Sequence, residues 1–168
     1  MSIGFDACIE KVRRAFPLDD VPSASELIAA DDIFFDNEQL PGNWVGRRWD
    51  EIDEAFLEVD ENIHGYIYFT PRAFNYYLPA LLMDAIGVGG RAMFIDNLVM
   101  FLASYAHVQR GRGSEGDRLR WQVFTRAQLD AIASSLRYYL QATDADEGGN
   151  EKRRSRIRRQ IAAFERDA

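Results

Sequence analysis

The sequence predicts a mainly α-helical fold: one compact helical domain of six or seven helices, followed by an Arg-rich C-terminal helix. Three observations predict it. Apolar residues recur at three- and four-residue steps along most of the chain, the period of a helix with one buried face. Capping signals precede several of these runs, as in Ser23-Ala24-Ser25-Glu26 and Thr125-Arg126-Ala127-Gln128. At 168 residues the chain is long enough for one proper core and short for two.

The elements follow in order. Phe5, Cys8, Ile9, Val12 and Phe16 form the first amphipathic stripe, with Ser2 placed to cap it and Pro17 to end it. Ser23 opens a short helix through about residue 30. Pro41-Gly42-Asn43 is turn chemistry, so residues 31–46 read as an irregular crossing. Trp49, Ile52, Phe56, Val59 and Ile63 keep a 3-4-3-4 spacing, which predicts one helix over about residues 50–61. Thr70 then suits an N-cap and Pro71 the first turn, while Pro79 falls inside the helix they start and should bend or restart it. Glycines 87, 89 and 90 stop that helix, and the stripe Phe94, Ile95, Leu98, Phe101, Leu102, Tyr105 marks the next. Residues 106–118 are glycine-rich and read as an exposed flexible loop. Thr125 caps a helix whose buried side is Leu129, Ile132, Leu136, Tyr139 and Leu140. Tyr66–Phe69 and Leu119–Phe124 leave room for one very short strand pair. The expected organisation is a helical domain over 1–143, a linker over 144–150 and a basic helix over 151–168. The expected core comprises Trp49, Phe56, Phe74, Tyr77, Leu78, Leu98, Leu129, Ile132 and Leu136.

Composition narrows the function classes. A hydrophobic content of 47% and a charged content of 28% are those of an ordinary globular protein. The formal charge of -7 opposes binding to nucleic acid, except weakly through the basic tail, and binding to anionic membranes. The apolar runs are far shorter than the roughly 20 residues of a membrane span, and the first residues have no signal-peptide pattern. A cytoplasmic protein is expected. Cys8 is the only cysteine, so neither an internal disulfide nor a cysteine-built zinc site can form.

The string Phe69-Thr70-Pro71-Arg72-Ala73-Phe74-Asn75-Tyr76-Tyr77-Leu78-Pro79 resembles the hallmark of a family of small bacterial proteins of unknown function. That hallmark runs roughly F-x-T-P-E-A-F-x-Y-Y-L-P after a tryptophan-containing helix, where Trp49 stands here. Phe124-Thr125-Arg126-Ala127-Gln128-Leu129 and Leu136–Leu140 are similar to the family's second half. The resemblance spans about residues 5–141 and implies a shared fold. It carries no catalytic residue across, and Arg72 stands where the family has an acidic side chain.

No catalytic constellation is legible. His64 and His107 lack metal-binding spacing, and Cys8 sits on an apolar helix face where burial keeps a thiol inert. Gly87-Val88-Gly89-Gly90 follows a helix, so it is a helix stop and no phosphate loop. Asp31, Asp32, Asp36 and Glu38 do not have the spacing of a calcium loop and read as a solvated acidic segment. The aromatics from Tyr66 to Tyr77 are expected to pack rather than stack on a ligand. No cofactor and no metal are expected.

The acidic balance is uneven. Residues 19–62 hold fourteen acidic side chains against Arg47 and Arg48, a local net of -12. On a helix over 50–61, Asp50, Glu54, Glu58 and Glu61 would share one outward ridge with Asp53 beside it. Unrelieved i,i+4 repulsion costs a helix about 0.2–0.5 kcal/mol per pair. A solvated face, a basic binding partner, or the chain's own Arg-rich tail (Lys152, Arg153, Arg154, Arg156, Arg158, Arg159) would each account for such a ridge. The leading expectation is a non-catalytic interaction protein of the immunity or antitoxin type, using Asp50, Asp53, Glu54, Glu58 and Glu61 against a basic toxin-like protein. The competing expectation is a small hydrolase or small-molecule-binding domain with carboxylates and Tyr66 or Tyr68 in an aromatic pocket.

Overall fold

A computed structural model describes residues 4–28, 43–59, 62, 68–87, 92–143 and 151–167. Eight α-helices lie among them: α1 (Phe5–Ala15), α2 (Ala24–Leu27), α3 (Glu54–Leu57), α4 (Pro71–Ile86), α5 (Ala92–Gln109), α6 (Glu115–Trp121), α7 (Arg126–Thr143) and α8 (Glu151–Asp167). A single 3-10 turn, Trp49–Glu51, precedes α3. The acidic cluster from Asp31 to Glu38, Glu61, His64, Tyr66 and the linker 144–150 lie outside the described residues.

Helix α4 is the axis of the molecule. Its first turn is built as the sequence requires: the Thr70 hydroxyl accepts from the Ala73 N–H at 3.2 Å, and Pro71 occupies a position where no donor is needed. The helix runs on through Pro79, which is buried with most of its neighbours. A helix apolar on nearly every side must be covered on nearly every side. Accordingly α1, α2, α5, α6, α7 and the 3-10 turn all touch it. Arg72, at the second helical position, opposes the helix dipole, and two carboxylates offset it: Asp20 at 2.7 Å and Glu26 at 3.1 Å.

The expected core is present. Trp49, Phe74, Tyr77, Leu78, Leu98, Leu129, Ile132 and Leu136 are buried, and Phe56 is half-buried against them. Trp44, inside the segment read as an irregular crossing, is also fully buried. Phe56, Phe69 and Tyr77 meet it edge-on at 4.9–5.0 Å between ring centres, the arrangement that sets the positive edge of one ring against the negative face of another. The Tyr77 hydroxyl lies 2.9 Å from the Trp44 carbonyl and 3.0 Å from that of Arg47, so it ties this loop to the axis.

Several expectations change. The strand pair between 66–69 and 119–124 is absent from the described residues: Leu119 belongs to α6, and Phe69 forms a single antiparallel bridge with Ile28. The loop expected over 106–118 is mostly helix. Helix α5 continues to Gln109 and stops at Gly111, whose φ of 72° lets the N–H groups of Gly111 and Arg112 turn back to the Val108 and His107 carbonyls. Ser114 and Asp117 then form a capping box that starts α6, the one helix beyond the seven the periodicity marks out. The C-terminal helix, finally, is no appendage. Ile157 and Phe164 are fully buried, and the Phe164 ring stacks on Tyr105 at 4.5 Å, so α8 closes the same core over α5 and α7.

Candidate functional site

The acidic segment does not form the continuous helix its spacing suggests. It makes a 3-10 turn over Trp49–Glu51, breaks at Ile52, and restarts as the single turn α3. The break has a local cause. Asp53 lies in extended backbone and its carboxylate accepts the Phe56 N–H at 2.9 Å, so it is a helix cap, a role incompatible with a mid-helix position. The Glu51 carboxylate likewise accepts the Arg48 N–H at 2.9 Å. Beneath, Trp49, Ile52 and Leu57 are buried, and the Trp49 indole N–H donates to the Phe16 carbonyl at 3.3 Å. Val59, expected on the buried stripe, lies past the end of α3 and is 44% exposed.

The carboxylates therefore share an edge without sharing a ridge. Asp50 is clamped by Arg48 through two hydrogen bonds, Nε at 3.0 Å and a terminal nitrogen at 2.6 Å, and the pair holds the guanidinium above its usual range. Asp53 is committed to its cap. Glu54 at the start of α3 and Glu58 just past its end are both exposed, as is Glu51. Residues 47–59 thus present five acidic side chains against Arg47 and Arg48, and the Arg47 guanidinium lies over the Phe56 ring at 5.0 Å. The backbone is well held: the Asn62 amide donates to the Phe56 carbonyl at 2.8 Å and accepts from Asn43 at 3.1 Å.

The structure also places a cleft of about 320 Å³ where the starts of α4 and α7 converge on the end of α1. Phe16 and Val123 form its apolar walls, and Arg72, Asn75, Tyr76 and Gln128 its polar ones. Asn75 and Gln128 exchange amide hydrogen bonds at 3.1 and 3.2 Å, and Gln128 also accepts the Thr125 N–H at 2.9 Å. This cleft is the nearest match to a pocket of carboxylates and tyrosines. Asp20 lines it but is paired with Arg72, and the Tyr76 hydroxyl donates to the Leu18 carbonyl at 2.9 Å while burial pushes its pKa up. Both are held in structural roles. Tyr68 is half-buried. In the sequence Gln128 is legible only as part of the Thr125 capping signal, because its partner Asn75 lies 53 residues away.

Cys8 is buried against Ser135, and burial pushes its thiol up, which suppresses the nucleophilic thiolate. Among the described residues no group of three or more His, Cys, Asp or Glu is arranged to hold a metal ion, and no helix is long and apolar enough to cross a membrane. Compared with protein-family models, curated proteins and solved structures, the chain matches none of them.

Proposed function

We propose that this protein is a non-catalytic binding protein that docks a basic protein through its acidic edge, in the manner of an immunity or antitoxin protein blocking a basic bacterial toxin. One observation carries the reading. Residues 49–59 bury Trp49, Ile52 and Leu57 and expose Asp50, Glu51, Asp53, Glu54 and Glu58, so a short, anchored stretch displays concentrated negative charge. Such a surface speeds encounter with a basic partner and selects its orientation. Val45 and Val59, each more than 40% exposed beside it, add apolar contact area. Glu61 extends the edge in sequence.

The test uses Glu54 of α3 and Glu58 just past its end, both exposed. Glu54→Lys with Glu58→Lys should leave the helical signal and melting temperature within a few degrees of wild type. Co-expressed with a basic, growth-arresting product of a neighbouring reading frame, the wild-type protein should restore growth and co-purify with it. The reversed variant should do neither. Equal rescue by both proteins, or rescue by neither, would overturn the proposal.

The cleft between α1, α4 and α7 favours a second reading, a small-molecule-binding domain. Its size suits a ligand of modest dimensions, and the Arg72 guanidinium, 45% exposed in its side chain, lies at its margin. A saturable rise in melting temperature with a small carboxylate, lost in Arg72→Gln, would support that reading over the first.

A further inference from the structure

A second cleft, of about 170 Å³, lies between the C-terminal end of α5 and α8, and its charge is opposite to that of the whole chain. Ala103 and Ala106 make its floor low. His107 and Arg110 stand on the α5 side, Arg156 and Arg159 on the α8 side. No ion pair engages these four side chains among the described residues, although other arginines nearby are taken: Arg158 and Arg154 by Glu151, and Arg137 by Glu165. Helix capping does not explain Arg110, because the His107 and Val108 carbonyls already receive the N–H groups of Arg110, Gly111 and Arg112. Nor does helix stability explain Arg156 and Arg159, which are like charges three residues apart. Gln160 backs the same cleft. It is 2% exposed, its Nε2 donates to the Val99 carbonyl, and its Oε1 has no partner. A buried acceptor left unmet is uncommon.

We infer that this cleft binds the phosphate group of a small phosphate monoester. Guanidinium groups match phosphate oxygens in shape and charge, and three of them around a pocket this small suit one tetrahedral anion. The opening between two helices admits a compact anion. An extended polyanion such as duplex DNA would meet repulsion from the acidic body. The inference is independent of the acidic edge, with which the cleft shares no residue.

Titration of the full-length protein at low salt with inorganic phosphate, glycerol phosphate and a DNA duplex tests it. Saturable one-site binding of glycerol phosphate is expected, with a rise in melting temperature. Equal affinity for inorganic phosphate would identify the free ion as the ligand; tighter binding of the ester would show that the attached hydroxyls are read as well. Arg156→Gln with Arg159→Gln should weaken binding at least tenfold and leave the unliganded melting temperature unchanged or higher. Arg110→Gln, at the exposed end of α5, should weaken it without touching α8 and serves as the second variant. Binding undiminished in these variants, no saturable binding of either phosphate at millimolar concentration, or a preference for the duplex would overturn the inference.

Discussion

At the residue scale, Tyr77 couples core packing to pH. Its ring packs against Trp44 and Phe69, and its hydroxyl serves two backbone carbonyls of the loop that leads into the acidic edge. Burial pushes its pKa well above the ordinary value of about 10. A folded-state pKa raised in this way gives a stability contribution that is complete below about pH 10 and is lost as the pH rises above it. Replacing Tyr77 with phenylalanine keeps the ring and removes the titration. Tyr77→Phe should cost about 1–2 kcal/mol at pH 7, as the hydroxyl's hydrogen bonds disappear. Its stability should then fall less steeply than wild type between pH 9 and 11. Urea midpoints across that range measure both effects, and parallel curves would show that Tyr77 does not govern the alkaline limb.

At the element scale, short capping motifs decide where helices begin. Ser114 and Asp117 start α6 directly after a glycine-terminated α5, so two helices occupy a stretch whose glycine content reads as loop. The connection matters to packing, because α6 delivers Trp121 to a cluster with Phe74, Tyr105 and Phe124, and the indole N–H donates to Ser104 at 2.7 Å. Ser114→Ala should destabilise the protein by about 0.5–2 kcal/mol. Amide exchange should rise first at the start of α6. A uniform rise across all helices would mean that α6 opens only with the whole fold. The same logic explains the acidic segment: Asp53, placed among helix-spaced apolar residues, is worth more as a cap for α3 than as one turn of a longer helix.

At the scale of the whole molecule, α8 is a structural wall. Ile157 and Phe164 are fully buried, and a buried side chain of this size contributes about 1.5–3 kcal/mol against a typical total of ~5–15 kcal/mol. Removing α8 would also uncover Val99 and Tyr105. The linker composition before α8 predicts a separable tail; the packing predicts the reverse. A chain ending at Thr143 should therefore be molten or aggregated, with dye binding to exposed apolar surface and no cooperative melt. A cooperative melt near the wild-type temperature would show that α1 to α7 close the core by themselves.

The sequence by itself determined the long helices α1, α4, α5, α7 and α8 in outline and the main residues that α4, α5 and α7 bury. Both depend on neighbours within a turn or two: the Thr70 and Ser23 caps, Pro71, and the stripes that place Phe74, Leu98, Ile132 and Leu136 inside. It also set the uneven charge on which the proposed acidic edge rests. Tertiary structure decided the rest. Trp44 is buried among the rings of Phe56, Phe69 and Tyr77, the last of them 33 residues away and hydrogen-bonded to the Trp44 carbonyl. Arg72 meets Asp20 across 52 residues, and Gln160 reaches Val99 across 61. The basic cleft exists only because α8 folds back onto α5. Periodicity and capping act over a few residues, whereas these contacts depend on where distant helices lie.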